Sequence, residues 1–211
     1  MLIIFDLDDT LIDTTGSVTP FKMKAVLERM LGRPPSQEEL QELLAINETS
    51  TKTPEAIERF AALHHLSIGT ALQELTTPLP KDFSISCTPY AKQIVEIYAK
   101  RVPIALVTGG HPPFQLEKLE KAGIDGSLFS KIAIPEDSMK KPFYQAISRE
   151  FSVAPSDIWV CGDRIPMDLT PAKELGCKTI HMRWGRGLKM ATVPWIDFSI
   201  SDLRELQRII P

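Results

Sequence analysis

Cysteine is scarce in this 211-residue chain, which has only Cys87, Cys161 and Cys177. An odd number at such wide spacing supports neither a disulfide framework nor a zinc-ligand pattern. No apolar run approaches the roughly 18 residues that a membrane-spanning helix needs. The run at residues 1–5 has no basic segment before it and meets acidic residues at once, so it is not read as a secretory leader. A dominant charge is missing too: 24 Lys plus Arg stand against 27 Asp plus Glu, a net of −3. That balance speaks against a general nucleic-acid binder and against a polybasic membrane-surface protein. Apolar residues at 43% and charged residues at 24% are ordinary globular usage, which excludes wholesale disorder. The expectation is a soluble, cytoplasmic protein. At ~150 residues per domain, the length suggests one domain with an appendage. Proline alone is mildly abundant, with 17 residues against a usual share of ~5%.

Leu2-Ile3-Ile4-Phe5 is a continuous apolar run, the pattern of a strand covered on both faces and hence of a parallel sheet. Similar runs occur at 103–107, 131–134, 158–161 and 178–182, with an edge strand expected at 197–200. Helix-period segments lie between them at 89–100, 114–122, 142–151 and 171–175, and Ser201-Asp202 caps a last helix through Arg208. This alternation predicts an α/β fold, a Rossmann-like doubly wound parallel sheet made by residues 1–13 and 88–211. Residues 14–87 break the rhythm. Val26, Leu27, Met30 and Leu31 fit one helical face, Leu40, Leu43 and Leu44 another, and Ile57, Phe60 and Ala61 a third. Ser36 and Thr53 are the expected N-caps. Such an insertion is too long for a loop and is read as a small all-helical domain.

Chemistry collects at the expected strand ends, the edge where open α/β sheets bind ligands. Asp6, Asp8 and Asp9 follow the first strand. Asp is common in strand-exit turns, but carboxylates this dense repel one another and call for a cation such as Mg²⁺. Thr108-Gly109-Gly110 follows the second strand and offers a hydroxyl and two unhindered backbone N–H groups to an anion. Lys140 and Lys141 follow the third strand, and Gly162-Asp163 with Asp168 the fourth. Each motif alone is more often structural than functional; four in order are not.

The set Asp6-x-Asp8-x-Thr10, Thr108-Gly109, a motif lysine and Gly162-Asp163-x-x-x-x-Asp168 resembles the four motifs of the haloacid dehalogenase superfamily. The resemblance covers the whole chain, because the helical insertion falls where that family carries a cap domain. It implies a Mg²⁺-dependent phosphatase acting on a small phosphorylated metabolite, with a cap that opens for substrate and closes against water. Asp6 would be the nucleophile that forms an aspartyl-phosphate. Asp8 would protonate the leaving alcohol and then deprotonate the hydrolytic water. Thr108, Gly109 and a lysine would hold the phosphoryl oxygens. The metal would be held by the Asp6 carboxylate, the Asp8 carbonyl and Asp163, with Asp168 acting through water. Asp9 and Thr10 are assigned to the turn. Asp8 also favours phosphate-ester hydrolysis over dehalogenation, since family members that cleave carbon–halogen bonds lack an aspartate there. One motif departs from the family's Lys-Pro-x-Pro: Lys141-Pro142 has no second proline, and the lysine lies closer to the fourth motif. Lys141 is preferred over Lys140 for phosphate.

A phosphoryl transferase or mutase on the same residues, and a catalytically silent binding protein of the same fold, are the alternatives. His64-His65 is read as helix surface or packing and His111 as a helix-entry residue. Arg183, Trp184, Arg186 and Lys189 are read as a solvated basic loop in preference to an anion or nucleobase contact. Cys161 and Cys177 are read as inert core thiols, and Arg164 as a partner for a nearby carboxylate. The sequence leaves the oligomeric state and the particular metabolite open.

Overall fold

The computed structural model describes residues 1–210. The chain folds as two compact units, one of Met1–Thr14 together with Pro80 onward, the other of Thr15–Leu79.

The first unit is built on a six-stranded sheet in the order β3-β2-β1-β4-β5-β6, parallel throughout. The strands are β1 (Leu2–Phe5), β2 (Ile104–Val107), β3 (Lys131–Ala133), β4 (Ile158–Gly162), β5 (Lys178–Met182) and β6 (Phe198–Ile200). Every residue of β1, β2 and β4 is buried, as continuous apolar strands covered on both faces should be. Leu2 and Ile4 share one cluster with Ala105, Val107, Tyr144, Ile147, Ile158, Val160 and Ala172. The chain winds outward from β1 to β3 and then returns to β4 on β1's other side. That reversal makes the carboxyl ends of β1 and β4 a topological switch point, where such sheets open a crevice. The edge strand β6 pairs parallel to β5, with Ile180 opposite Phe198.

Helices join the strands: α4 (Ala91–Ala99), α5 (Pro112–Lys121), α6 (Lys141–Glu150), α7 (Thr170–Glu174) and α8 (Leu206–Ile209). In chain order they follow α1 (Thr19–Leu31), α2 (Gln37–Thr49) and α3 (Thr53–Leu63) of the second unit. Asp202 and Glu205 form a capping box at the short turn leading into α8.

The second unit packs Met23, Val26, Leu27, Leu43, Ala56, Ile57, Phe60 and Ala71 into its own core. Ser36 caps α2 with a full capping box to Glu39. Thr53 is not a cap: it is the first residue of α3, and Lys52 stands at the N-cap with no side-chain bond. The expected boundary at Cys87 lies at Leu79 instead. Residues 80–87 are tied to the first unit, where the Cys87 thiol donates to Ala122 O, Ile85 N–H to Lys121 O, and Ile12 bridges Cys87. No helix among the described residues is long and apolar enough to cross a membrane.

Candidate active site

Asp6 leaves the end of β1 with its N–H bonded to Cys161 O of β4 at 2.9 Å, which anchors the strand exit at the switch point. The residue is 6% exposed, and its Oδ1 accepts a hydrogen bond from Lys140 Nζ at 2.5 Å. The same ammonium donates to Asp168 Oδ1 at 2.5 Å. Asp163, at the exit of β4, completes a buried trio in which one oxygen of each carboxylate lies within 4.8 Å of the others. No described residue donates a hydrogen bond to the Asp163 carboxylate.

Local folding produces this convergence. After β4 the chain winds one π-helical turn, Ile165–Leu169, which carries Asp168 back toward the strand end. Asp168 Oδ2 accepts from the Arg164 N–H at 2.8 Å, and Tyr144 Oη donates to Asp168 O at 3.3 Å. Gly162 makes room for that return, because a Cβ there would lie 2.6 Å from Asp168 Cβ.

The loops after β2 and β3 are knitted together. Thr108 N–H donates to Ala133 O and Gly110 N–H to Pro135 O. The latter bond corrects the expectation of two free amides at this turn: Gly109 N–H alone makes no bond among the described residues. A Cβ on Gly109 would sit 2.6 Å from Ser138 Oγ, so glycine is needed for the two loops to approach. The second loop then delivers Lys140, at the N-cap of α6 and 4% exposed.

Of the two candidate lysines, it is Lys140 and not the preferred Lys141 that the fold turns toward Asp6 and Asp168. Lys141 points outward and pairs with Glu174 at 2.7 Å, with 44% of its side chain exposed. Successive residues entering a helix differ by about 100° in direction, so only one of the pair can face the site.

Asp8 occupies a different environment. Lys118 Nζ lies 2.5 and 2.7 Å from its two oxygens, Gln115 Nε2 donates to Oδ2 at 3.0 Å, and Thr14 Oγ1 donates to Oδ1 at 2.5 Å. Asp9 adopts a left-handed backbone conformation (φ 55°) inside the turn, and Thr10 N–H bonds Leu7 O. A Cβ on Gly185 would overlap the Asp9 carboxylate, so that glycine permits the loop after β5 to close on the turn.

The electrostatics follow the geometry. Burial pushes the Asp6 carboxyl up to about 7, with Lys140 opposing and Asp168 and Asp8 adding to the rise. Burial also raises Asp163 well above the carboxylate range, reinforced by Asp168 and Asp6. For Asp8 burial acts upward, but the Lys118 charge and the donors from Gln115, Lys118 and Thr14 outweigh it and hold the group below its ordinary value.

Residues outside the four motifs also shape the site. Gln115 and Lys118 lie on the inward face of α5 beside Leu119, in positions a helix usually gives to apolar side chains. That polar interruption of an apolar stripe was a legible signal. His181 of β5 is buried, and its Nε2 lies 3.1 Å from Asp163 O, where it acts as donor. The reading of a solvated basic loop holds for Lys189, which is exposed, but not for its neighbours: Arg183, Trp184 and Arg186 are half-buried, with Arg183 Nε and Arg186 Nη1 shielded from solvent and Trp184 Nε1 donating to Asp13. Arg186 is within electrostatic reach of Asp163, Asp9 and Asp8. His111 is exposed at the entry of α5, and the exposed His64 contacts Glu42 at 3.0 Å. The Cys161 and Cys177 thiols are buried and pushed upward by burial, Cys177 to about 11.

The trio suits a hard dication. Its donors are carboxylate oxygens, of which Lys140 bridges two, while the Arg164 and Arg186 charges are in reach of Asp163. A doubly wound parallel sheet that gathers this trio and a buried lysine at its switch point defines an α/β fold with a ligand crevice at the carboxyl ends of its strands. Residues 3–182 match the haloacid dehalogenase-like hydrolases, and the chain belongs to that family. It is 26% identical over 225 residues to a glyceraldehyde 3-phosphate phosphatase of Pyrococcus furiosus, covering 99% of this chain and 92% of that protein. A protein of the same name from Methanocaldococcus jannaschii is 31% identical over 123 residues, 56% of this chain and 54% of the relative. The HAD-hydrolase YfnB of Bacillus subtilis, solved bound to magnesium, has a TM-score of 0.77 and 19% identity over 99% of this chain and 97% of that one. At that identity the likeness is one of fold.

Proposed function

We propose that this chain is a Mg²⁺-dependent phosphatase that hydrolyses a small phosphate monoester through an aspartyl-phosphate on Asp6. The observation that carries this reading is the pair of carboxylates leaving β1 in contrasting settings: Asp6 with one oxygen on Lys140 and the other without a donor among the described residues, and Asp8 fully hydrogen-bonded.

In the first half-reaction, the free Asp6 oxygen attacks phosphorus as the ester P–O bond breaks, and Asp8 passes to the departing alkoxide the proton it took from water in the preceding turnover. Lys140, Thr108 Oγ1 and Gly109 N–H would hold the phosphoryl oxygens and offset their charge. In the second half-reaction, Asp8 takes a proton from water, the water oxygen bonds to phosphorus, and the acyl–phosphate bond breaks to regenerate Asp6. The contacts on Asp8 favour its ionised form, which suits this water-activating half. Asp6 and Asp163, with the Asp8 carbonyl, would hold magnesium, and Asp168 would support it. When bound, the ion supplies positive charge that keeps Asp6 ionised and lessens repulsion between anionic nucleophile and anionic ester. We read the helical unit as the family's cap.

The curated relatives are named for glyceraldehyde 3-phosphate, and that three-carbon monoester is the first substrate to try. The test is release of inorganic phosphate from it and from 4-nitrophenyl phosphate, with Mg²⁺ and with chelator. Turnover that requires Mg²⁺ and vanishes in Asp6→Asn supports the reading. Turnover that survives Asp6→Asn overturns the nucleophile, and phosphate passed to a second hydroxyl in place of water identifies a transferase.

A further inference from the structure

The acid–base carboxylate is gripped mainly by one helix. Lys118 and Gln115 stand three residues apart on α5, one turn of the same face, and between them they contact both oxygens of Asp8. Both are buried, Lys118 at 4% and Gln115 at 3% exposure. Gln115 does more than touch Asp8. Its Nε2 also lies 2.5 Å from Thr108 Oγ1 and 2.9 Å from Gly109 O. One amide therefore joins the acid–base carboxylate to the turn assigned to the phosphoryl group. Burying a lysine and an amide at inward helix positions costs desolvation, and a packing role alone would be served better by apolar residues.

We infer that Gln115 and Lys118 are positioning residues that set the Asp8 carboxylate for proton transfer to the leaving group and lock its distance to the phosphate-binding turn. The inference rests on the proposed role of Asp8. A carboxylate with two free χ angles reaches the ester oxygen in few of its rotamers. A bidentate ammonium and an amide shared with the turn select one of them before substrate arrives. The effect belongs to the step in which the alkoxide departs. An alkoxide cannot leave without a proton, whereas a nitrophenolate leaves nearly unaided, so damage to Asp8 positioning should grow with leaving-group basicity.

The test compares kcat/KM, which reports on steps through departure of the alcohol, for glyceraldehyde 3-phosphate, phenyl phosphate and 4-nitrophenyl phosphate. It uses the unmodified chain, Asp8→Ala, Lys118→Met, Gln115→Leu and Lys118→Arg, with folding checked by circular dichroism. For Lys118→Met we expect a loss of about 10²-fold on the alkyl ester and only a few-fold on the nitrophenyl ester. Gln115→Leu should show the same gradient more weakly, and Lys118→Arg should recover much of the loss, because a guanidinium also pairs with a carboxylate through two bonds. A uniform loss across the three esters in folded Lys118→Met and Gln115→Leu, or no loss, overturns the inference. If Lys118→Met does not fold, Gln115→Leu and Lys118→Arg decide it by the presence or absence of the gradient. Asp8→Ala separates the two levels of the reading. A flat response there means that Asp8 is not the acid, whereas a graded response there with a flat one in the α5 variants removes only the positioning role.

Discussion

Asp6 and Asp8 leave the same strand on either side of Leu7, and their surroundings face opposite electrostatic problems. Asp8 meets a lysine, an amide and a hydroxyl, so its charge is balanced by the protein alone. Asp6 shares one lysine with Asp168 and stands beside Asp163, whose carboxylate has no hydrogen-bond donor among the described residues. Hence Asp8 is held below the ordinary carboxylate range and Asp6 is lifted to about 7. One side of the strand exit is balanced by its own donors, whereas on the other side the crowded carboxylates raise one another. Proteins rarely bury like charges without a use for them, and the crowding on the Asp6 side marks where a metal and an anionic ester are expected to meet.

The largest way to break this contrast is to worsen the crowding. Lys140→Met would leave Asp6 and Asp168 buried beside Asp163 with no ammonium between them. The expected outcome is a fall of about 10³-fold in kcat/KM for phosphate release, the scale seen when one preorganised donor is removed from an active site. Retention of more than a tenth of the activity would show that the phosphoryl group is held elsewhere.

The next effect is on stability, and its sign follows from proton binding. The Asp6 carboxyl is raised to about 7 in the fold, against 3.8 when exposed. Between those values the folded chain holds a proton that the unfolded chain has lost, so stability falls as pH rises toward 7 and stays low above it. Asp163 shifts in the same direction. His181, lowered by burial, acts oppositely but only below its ordinary value of 6.5. Metal-free protein should therefore melt at a lower temperature at pH 8 than at pH 6.5. Mg²⁺ at ~100 times its Kd should raise the midpoint by roughly 5–10 °C at pH 8 and by less at pH 6.5, since protons compete for the same carboxylates. Differential scanning calorimetry with and without the ion reads both numbers. A Mg²⁺ shift equal at the two pH values would mean that the trio is not the binding site.

A smaller perturbation acts on the geometry of the Asp6 side alone. Gly162→Ala places a Cβ 2.6 Å from Asp168 Cβ, and either the π-helical turn or β4 must give way. Destabilisation of about 1–3 kcal/mol is expected in urea unfolding, with a weakened response to Mg²⁺. The graded leaving-group behaviour assigned to Lys118 should persist in this variant, because the Asp8 side is untouched.

Much of this was legible in the sequence. Continuous apolar runs give parallel strands for a plain reason: a strand covered on both faces has no polar side to show. Asp6, Asp8, Asp163 and Asp168 were legible because strand ends are where such sheets bind ligands. What escaped depended on direction in space. Residues adjacent in sequence, such as Lys140 and Lys141, differ only in which way a helix start turns them. Gly110 looked free because its bond runs to Pro135, across a strand pairing whose register periodicity does not reveal. Arg186 read as solvated because charge is normally exposed, and the shielding of its Nη1 is decided by how the loop after β5 folds back toward Asp163.

The smallest expected effect is the sharpest control on the comparison. Lys141 is the neighbour of Lys140 and carries the same charge, yet it pairs with Glu174 in the open, where both side chains are about half exposed. An exposed pair of this kind contributes about 0–1 kcal/mol, since solvent screens the attraction and side-chain entropy opposes it. Lys141→Ala should therefore leave kcat/KM within ~2-fold of the unmodified chain and the melting midpoint within about 3 °C. Net charge changes identically in Lys140→Met and Lys141→Ala, so a general electrostatic attraction of the anionic ester would be weakened alike in both. A wide gap between the two variants would show that the crowding at Asp6 is relieved by one buried ammonium at one position. A large loss in Lys141→Ala would instead place the working lysine where the sequence motif first suggested.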